Sequence, residues 1–230
     1  MNLFERLMCN QKVINCTDDK KGFVIKTDRF IFVLIMTKAE RTRQFIIEKA
    51  APIFNRKGIA GTSMSDIMEA TKLAKGGLYG NFESKEEICL EAYKYLTKTL
   101  SDEINKSIDA KTSAKDKLFA LLDFYENKLF KSNNAGCPIL NFGTEADDTN
   151  PAIKQKVNES IDRFRGRISN IISLGHERGE FPKTFNADLF ATKMFTMIEG
   201  AILISKVQND AKHMHVVIEI LKAEIEQNSK

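Results

Sequence analysis

The spacing of apolar residues predicts helices along most of the chain from residue 38 onward, and the most informative ones lie within residues 62–85. Apolar positions recur at helical spacing over residues 64–71, and Leu78 and Phe82 restart the repeat four residues apart. The repeat is broken at residues 72–74. This pattern predicts two helices of about two turns each, joined by a tight turn, and such a pair needs a third helix to bury a core.

Signals at the ends of these helices support that interpretation. Ser63 followed three residues later by Asp66 is a pattern that caps a helix start. The preceding segment 38–57 supplies the third helix, which Gly58 is expected to end and Pro52 to bend. The expected buried side of this helix consists of Phe45, Ile46, Ala50, Ile53 and Phe54.

The rest of the chain predicts a larger helical lobe. A helix follows Ser84, where Glu87 completes a second capping pattern, and the next helix opens at Ser113 with Asp116. Further helices are expected at 114–129, 140–147, 150–179, 186–206 and 211–227. The predicted fold class is all-α, with an N-terminal three-helix helix-turn-helix domain at 37–84 and a larger helical ligand-binding and dimerisation domain at 85–230.

Residues 1–36 differ from the rest of the chain because they lack helical periodicity. We expect a poorly ordered extension or an upstream start with Met36 as initiator, although the DDKKG stretch at 18–22 would permit a hairpin. The functional alternative is an arm that reaches DNA through the basic residues Lys20, Lys21, Lys26 and Arg29.

The last two predicted helices indicate a partner subunit. The helix at 186–206 carries apolar residues on nearly every side, from Leu189 to Ile204, so one small lobe cannot cover it. The final helix has a single apolar stripe, which we expect to contact the symmetry copy together with the preceding helix. The stripe consists of Met214, Val217, Ile218, Leu221 and Ile225.

The run from Arg41 to Lys85, closing with LYGNFESKEE, resembles the amino-terminal DNA-binding domain of the TetR/AcrR family of bacterial repressors. The resemblance implies that Lys75 and Gly76 begin the recognition helix and that phosphate contacts come from Thr62 or Ser63, Tyr79, Asn81 and Lys85. The sequence departs from the family pattern at Lys72, where glycine is frequent, at Ala74, where Ser or Thr caps the helix, and at Asn81, where His is frequent. The predicted DNA-binding residues are Thr62, Ser63, Lys75, Gly76, Gly77, Tyr79, Asn81 and Lys85.

Charge distribution agrees with a DNA-binding lobe. Residues 37–85 hold 9 Lys and Arg against 5 Asp and Glu, whereas residues 86–230 hold 20 against 22. The 4 Cys and 3 His lack metal-ligand spacing, so we expect no metal and no cofactor, and thiols kept reduced in the cytoplasm. No apolar run approaches the length of a membrane span.

The sequence of the carboxy-terminal lobe gives weaker evidence about which residues bind an effector. Phe124, Phe142, Met194 and Ile198 are candidates for an apolar ligand cavity, and equally for ordinary core. Cys137 lies between Gly136 and Pro138 ahead of a helix, where the helix dipole can lower a thiol pKa. We prefer the interpretation of Cys137 as an unreactive structural cysteine, and the alternative is a ligand-binding and sensor residue.

These features together predict a homodimeric, ligand-responsive transcriptional regulator, expected to be a repressor, that binds a near-palindromic operator. The effector step follows from the family resemblance alone. The alternative is a low-specificity, chromosome-organising DNA-binding protein, because the glycine-rich second helix carries few side chains that read bases. The chain shows no nucleophile–base pairing, metal set or phosphate loop, which argues against an enzyme.

Overall fold

The computed structural model describes residues 23–26, 31–34, 37–128 and 136–230. Several residues singled out in the sequence lie outside these ranges: Cys9, Cys16, Lys20, Lys21, Arg29, Met36, Leu129 and the loop at 133–135. The hairpin and the first residues of the first helix, up to Thr42, belong to one unit of the chain, and residues from Arg43 onward belong to a second.

A short antiparallel hairpin precedes the helices. Strand β1 spans Phe23–Lys26 and strand β2 spans Ile31–Leu34, with Phe23 opposite Leu34 and Lys26 opposite Ile31. Both strands come after the DDKKG stretch, so the paired segments are not the two that flank it. β-Branched and aromatic residues dominate both strands, as strand propensity requires.

The described remainder of the chain is helical, which confirms the all-α fold class for both predicted domains. The helices are α1 (Lys38–Gly61), α2 (Met64–Thr71), α3 (Lys75–Tyr79), α4 (Lys85–Asp109), α5 (Ala114–Lys128), α6 (Pro138–Ala146), α7 (Pro151–Glu177), α8 (Ala187–Gln208) and α9 (Lys212–Gln227).

Helix α1 is interrupted at Gly58 and not at Pro52. Gly58 has φ 80° and ψ 174°, a conformation that favours glycine, whereas the dihedral angles stay helical through Pro52, which is exposed. The buried side is also rotated from the prediction, because Phe45 is 38% exposed and Ile53 is half-buried. Its buried apolar residues are Ile46, Ile47, Ala50, Ala51 and Phe54.

Local hydrogen bonds set the helix-turn-helix motif. The Ser63 hydroxyl accepts from the Asp66 N–H at 3.1 Å, and the Asp66 carboxylate accepts from the Ser63 N–H at 2.8 Å, which confirms the predicted capping pair. Lys72 ends α2 with φ 56°, the left-handed conformation that explains why glycine is frequent there. Leu78 and Phe82 are buried and anchor α3 against the domain.

The carboxy-terminal lobe is built around α7. This helix packs on α6, α5 and α8, while α9 covers α5 and α8. Two of the predicted caps are present, at Ser84 and Ser113, but the Glu87 side chain accepts from the Glu83 N–H instead of the Ser84 N–H. Within the described residues, no helix is long and apolar enough to cross a membrane.

The apolar stripe of α9 faces the interior of its own subunit, which corrects the prediction that it contacts a partner. Ile218 and Leu221 are fully buried within the protomer, and Met214 and Ile225 are nearly so. The last two helices leave other large apolar side chains exposed at the surface. They are Leu189, Leu203, Ile204 and Val207 on α8, and Val216 and Ile220 on α9.

The conformation of Lys72 leads to a stability prediction. Because a left-handed backbone is strained for a residue with a Cβ, Lys72→Gly is expected to raise the free energy of unfolding by about 0.5–1 kcal/mol. Glu69→Gly, an exposed change inside the same helix, should lower it by about 1 kcal/mol. Urea unfolding measures both. Equal destabilisation by the two glycines would contradict the assignment of a left-handed C-cap.

Candidate nucleic-acid interface and effector site

Helix α3 presents its long side chains to solvent. Lys75 and Tyr79 are exposed on this five-residue helix, and the Lys75 ammonium lies 5.7 Å from the centre of the Tyr79 ring. The buried Leu78 fixes which side of the helix faces outward. This arrangement leaves one cation and one phenol together at the surface, where either can reach a phosphate or a base edge.

Gly76, Gly77 and Gly80 have different surroundings, so no single packing contact explains why glycine occupies all three positions. A Cβ at Gly80 would lie 3.0 Å from the Gly76 carbonyl oxygen, so packing within the motif restricts that position. A Cβ at Gly76 would meet nothing within 4 Å, and one at Gly77 would make ordinary contact with Leu73. Nothing in the described part of the protein therefore requires glycine at position 76, although it costs helix stability there.

Two of the predicted phosphate-binding side chains are occupied by the fold itself. The Lys85 ammonium donates to the Ile59 carbonyl at 3.0 Å and to the Thr62 carbonyl at 3.1 Å. Thr62 is 1% exposed and its hydroxyl donates to the Gly58 carbonyl. Of the predicted pair Thr62 and Ser63, only Ser63 reaches the surface.

Asn81 and Ala74 lie at the two ends of α3. The Asn81 amide donates to the Gly77 carbonyl at 2.8 Å, which closes the last turn of the helix. Ala74 occupies the N-cap with extended dihedral angles and no side-chain hydrogen bond, as its methyl group requires. The missing cap leaves α3 held mainly by the burial of Leu78.

Sequence reasoning missed Arg43, which positions the loop after α3. Its guanidinium donates to the Asn81 carbonyl and to the Glu87 carboxylate, and lies 4.0 Å from the centre of the Phe82 ring. The hydrogen bond from Arg43 and one from the Glu83 N–H lower the pKa of Glu87. The partners are 38 and 44 residues away in sequence, so no local pattern identifies the residue.

A second missed group is Glu145 on α6. Its carboxylate accepts from the Ile59 N–H at 2.7 Å and from the Ala60 N–H at 3.1 Å, immediately after the break in α1. A Cβ at Gly58 would lie 1.9 Å from this carboxylate, so a side chain there would displace the Glu145 carboxylate, and the φ of 80° independently favours glycine. On the same helix, the Asn141 amide donates to the Asn55 carbonyl at 2.9 Å. Helix α6 therefore holds α1 at two points.

The five predicted ligand-binding residues lie in the core of the larger lobe. Tyr93 stacks on Phe142 with ring centres 5.1 Å apart, and Phe124 packs edge-on against Tyr125. A groove of about 570 Å³ between α4, α5 and α7 is lined by other residues. The structure places all five side chains in contact with protein: Phe124, Cys137, Phe142, Met194 and Ile198 are each no more than 6% exposed.

Cys137 is fully buried, and its thiol does not have the lowered pKa that a position at a helix start allows. Burial raises the pKa of the Cys137 thiol well above its ordinary value, and the neighbouring Glu199 carboxylate raises it further. The N–H groups of Leu140 and Ile139 at the start of α6 do lower it, in the direction expected of a helix dipole, but burial outweighs them. The Cys137 sulfur donates to the Glu199 carboxylate at 3.1 Å. This geometry favours the structural interpretation of the cysteine.

Glu199 is itself an unusual core residue. It is 8% exposed, and its second carboxylate oxygen, Oε2, has no hydrogen-bond partner among the described residues. Burial raises the pKa of Glu199 to about 7, although the hydrogen bond from Cys137 opposes the rise. The carboxyl group therefore changes charge near neutral pH inside the lobe.

Comparison with known proteins finds a family model that matches each of the two lobes. Residues 46–92 match the family model for bacterial regulatory proteins of the tetR family, and residues 114–221 match that for the tetracyclin repressor-like C-terminal domain. A TetR-family regulator from Cytophaga hutchinsonii is 35% identical, with a TM-score of 0.79, over 84% of this chain and 98% of its own.

Two further relatives agree. A TetR regulator from Chloroflexus aurantiacus is 34% identical, with a TM-score of 0.80, over the same shares of the two chains. The transcriptional repressor DhaR from a Mycobacterium species is 24% identical over 73% of this chain and 84% of its own length.

The titration of Glu199 predicts a pH-dependent stability. Between pH 4.5 and about 7 the folded protein retains a proton that the unfolded chain has released, so the free energy of unfolding falls as pH rises through this window. Glu199→Gln removes this dependence. The difference in unfolding free energy between variant and wild type should therefore change by on the order of 3 kcal/mol in favour of the variant from pH 4.5 to pH 8.

Urea unfolding across this pH range checks the prediction. Glu177→Gln, an exposed change on α7, controls for loss of a carboxylate. The pH-independent cost of the new amide cancels, because only the slope is compared. A constant difference between Glu199→Gln and wild type at every pH would contradict the assignment.

Proposed function

Because this chain belongs to the TetR family of bacterial transcriptional regulators, we propose that it is a homodimeric, effector-responsive repressor that acts in the cytoplasm on a near-palindromic operator. The observation that carries the proposal is the outward face of α3. There, Lys75 and Tyr79 are exposed and Gly76 has open space where a side chain would stand. A short helix with these features suits insertion into a major groove.

The proposed DNA-binding residues fall into two groups: side chains that are exposed and can contact DNA, and side chains that are already hydrogen-bonded within the fold. Lys75 and Tyr79 lie at the surface and serve as direct contacts, with Gly76 and Gly77 allowing the helix backbone to approach the groove edge. Ser63 is also exposed, but its hydroxyl donates to the Asp66 carboxylate and accepts from the Asp66 N–H, so a contact with DNA there shares the α2 cap. Lys85 and Thr62 hold the junction between α1 and α2, so they position the motif. Asn81 closes the last turn of α3 and contributes its half-exposed amide at the rim.

Assembly uses the outward faces of α8 and α9. Val207 and Leu189 are 77% and 65% exposed, and Val216 and Ile220 lie about half-exposed on the neighbouring helix. Apolar surface of this extent on adjacent helices supports an isologous contact with a second copy. A two-fold axis there presents two α3 helices to half-sites about one helical turn of DNA apart.

The proposed response to an effector runs through α6. Glu145 and Asn141 connect this helix to α1 beside the break at Gly58, and Lys85 connects the same junction to α4. An effector that binds one arrangement of the larger lobe more tightly shifts α6 and α4, and with them the motif, by its difference in affinity. If α6 moved without α1, the hydrogen bonds from the Ile59 and Ala60 N–H groups to Glu145 would break, which costs free energy.

Lys75 and Lys85 test the DNA-binding assignment in different ways. Lys75→Ala should weaken binding to the DNA upstream of the protein's own gene and reduce the salt slope by about one unit, with the unfolding free energy unchanged within about 0.5 kcal/mol. Lys85→Ala should instead destabilise the protein by about 1–3 kcal/mol, because two backbone carbonyls lose a charged donor.

Fluorescence anisotropy at several salt concentrations measures binding, with random DNA of equal length as the competitor. Lys94→Ala, an exposed change on α4, is the matched control. Equal affinity of wild type for operator and random DNA would favour a low-specificity, chromosome-organising protein instead. Unaltered affinity and salt slope in Lys75→Ala would exclude α3 as the contact surface.

The assembly proposal predicts opposite outcomes for two neighbouring residues of α9. Ile220→Glu places a charge on the exposed face, so it should yield a folded monomer, because an unpaired charge in an apolar interface is expensive. Ile218→Glu places the charge in the protomer core and should prevent folding.

Light scattering gives the mass and circular dichroism the helix content. The wild type is expected to be dimeric at micromolar concentration. A monomeric wild type, or a dimeric Ile220→Glu protein, would refute the assignment of this face to the dimer.

A further inference from the structure

The open groove between α4, α5 and α7 has an unusual distribution of charge. Its volume is about 570 Å³, within the range of about 300–1,000 Å³ common for small-molecule sites. Lys117 of α5 and two arginines of α7, Arg163 and Arg167, line it, with the amides of Asn105 and Asn170 beside them. None of the described residues that line the groove is acidic.

These cations have no carboxylate of the described residues at ion-pair distance, unlike other cations of the lobe, although Glu159 interacts with Arg163 and Asp109 with Arg167 at longer range. Elsewhere in the described lobe, Lys98 pairs with Asp102 at 2.6 Å and Lys193 with Glu224 at 2.8 Å. Among the described residues, no carboxylate lies within 4 Å of the three groove cations. Arg163 and Arg167 are one helical turn apart, a spacing at which like charges destabilise a helix.

Arg167 is held in place without being neutralised. Its guanidinium donates to the Ser101 hydroxyl on α4 at 2.7 Å, and the residue is half-buried. Burial lowers the pKa of Arg167, and Arg163 lowers it further, while Tyr125 and Asp109 oppose the change. The guanidinium is thus oriented by a neutral partner and retains donors for an anion.

The groove also has an aliphatic lining. Ile108 of α4 and Ile171 and Leu174 of α7 contribute to it, and the two residues of α7 lie about one to three helical turns after the arginines. Both arginines also line a smaller cavity of about 30 Å³, together with Phe164 and with Ile139 at the start of α6. A ligand that draws the guanidinium groups together therefore acts next to the helix that holds α1.

We propose that this groove binds an amphipathic anion, with a carboxylate or phosphate head between Arg163, Arg167 and Lys117 and an aliphatic chain along Ile108, Ile171 and Leu174. The head supplies a counter-charge at ion-pair distance, and the chain lies along Leu174, which is half-buried, and the groove-facing edges of the more deeply buried Ile108 and Ile171. This inference deepens the proposed effector response and rests on it for the regulatory consequence, which is weaker operator binding in the presence of the ligand.

Isothermal titration of the full chain with four decyl compounds tests the site. Decanoate and decyl phosphate should bind, and decanol and decyltrimethylammonium should bind at least about tenfold more weakly, because only an anion satisfies the guanidinium groups. Acetate and inorganic phosphate should also bind more weakly than the decyl anions, because they lack the chain. The stronger of the two decyl anions identifies the head group.

Two substitutions locate the binding. Arg163→Gln and Arg167→Gln should each weaken binding of the preferred anion by about tenfold or more, whereas Lys154→Gln, an exposed change on the same helix, should leave it unchanged. Arg163 has no hydrogen bond to the protein in the described residues, so its variant keeps the test valid if Arg167→Gln is unstable. Equal binding of the four decyl compounds, or full affinity in Arg163→Gln, would overturn the site.

Operator binding is measured separately with and without the preferred anion. Operator binding by a protein that binds no decyl anion refutes the groove and leaves the repressor function intact. Anion binding by a protein that ignores its operator supports the groove and refutes the repressor function. Anion binding that leaves operator affinity unchanged removes the effector role.

Discussion

The structure depends on satisfying the backbone groups exposed where α1 breaks. The left-handed conformation at Gly58 frees the N–H groups of Ile59 and Ala60 and the carbonyl of Ile59, close to the start of α2. Buried or half-buried backbone groups of this kind are costly when unpaired. Glu145 of α6 accepts from the N–H groups, and Lys85 of α4 donates to the carbonyls of Ile59 and Thr62. Three helices therefore meet at one junction.

This junction connects the motif to the larger lobe. A helix-turn-helix of this size needs only α1 to complete its own core, and Leu78, Phe82 and Ile46 provide it. Its attachment to the lobe is a separate matter, to which Glu145 and Lys85 contribute at the break in α1, together with the hydrogen bond from Asn141 to Asn55. A displacement of α6 or α4 cannot leave α1 in place without losing these hydrogen bonds.

Features encoded by neighbouring residues could be predicted from the sequence, and features encoded by distant ones could not. The Ser63–Asp66 cap, the turn at Lys72 and the N-caps at Asn150 and Asn186 each depend on residues within four positions of one another. Arg43 and Glu145 act on partners 38 to 86 residues away, so their roles appear only after folding. The prediction that the apolar stripe of α9 contacts a partner subunit was wrong for a related reason. Periodicity identifies an apolar face but does not show which part of the protein covers it.

In the candidate sites, too, the sequence shows which side chains can carry a charge but not whether that charge is free or bound within the fold. Lys75 and Lys85 look equivalent in the sequence, yet one is exposed beside Tyr79 and the other is bound to two carbonyls. Cys137 has the helix N-terminus expected to activate it, but complete burial against Glu199 has the opposite and larger effect on its pKa. In each case the residue type sets what chemistry is possible, and the neighbours decide whether the charge is used inside the fold. Because they form no ion pair with any described residue, Lys75 on α3 and the groove residues Arg163 and Arg167 remain available to an external anion. Lys75 lies on the motif and the two arginines lie in the larger lobe, and α6 connects these two parts of the protein.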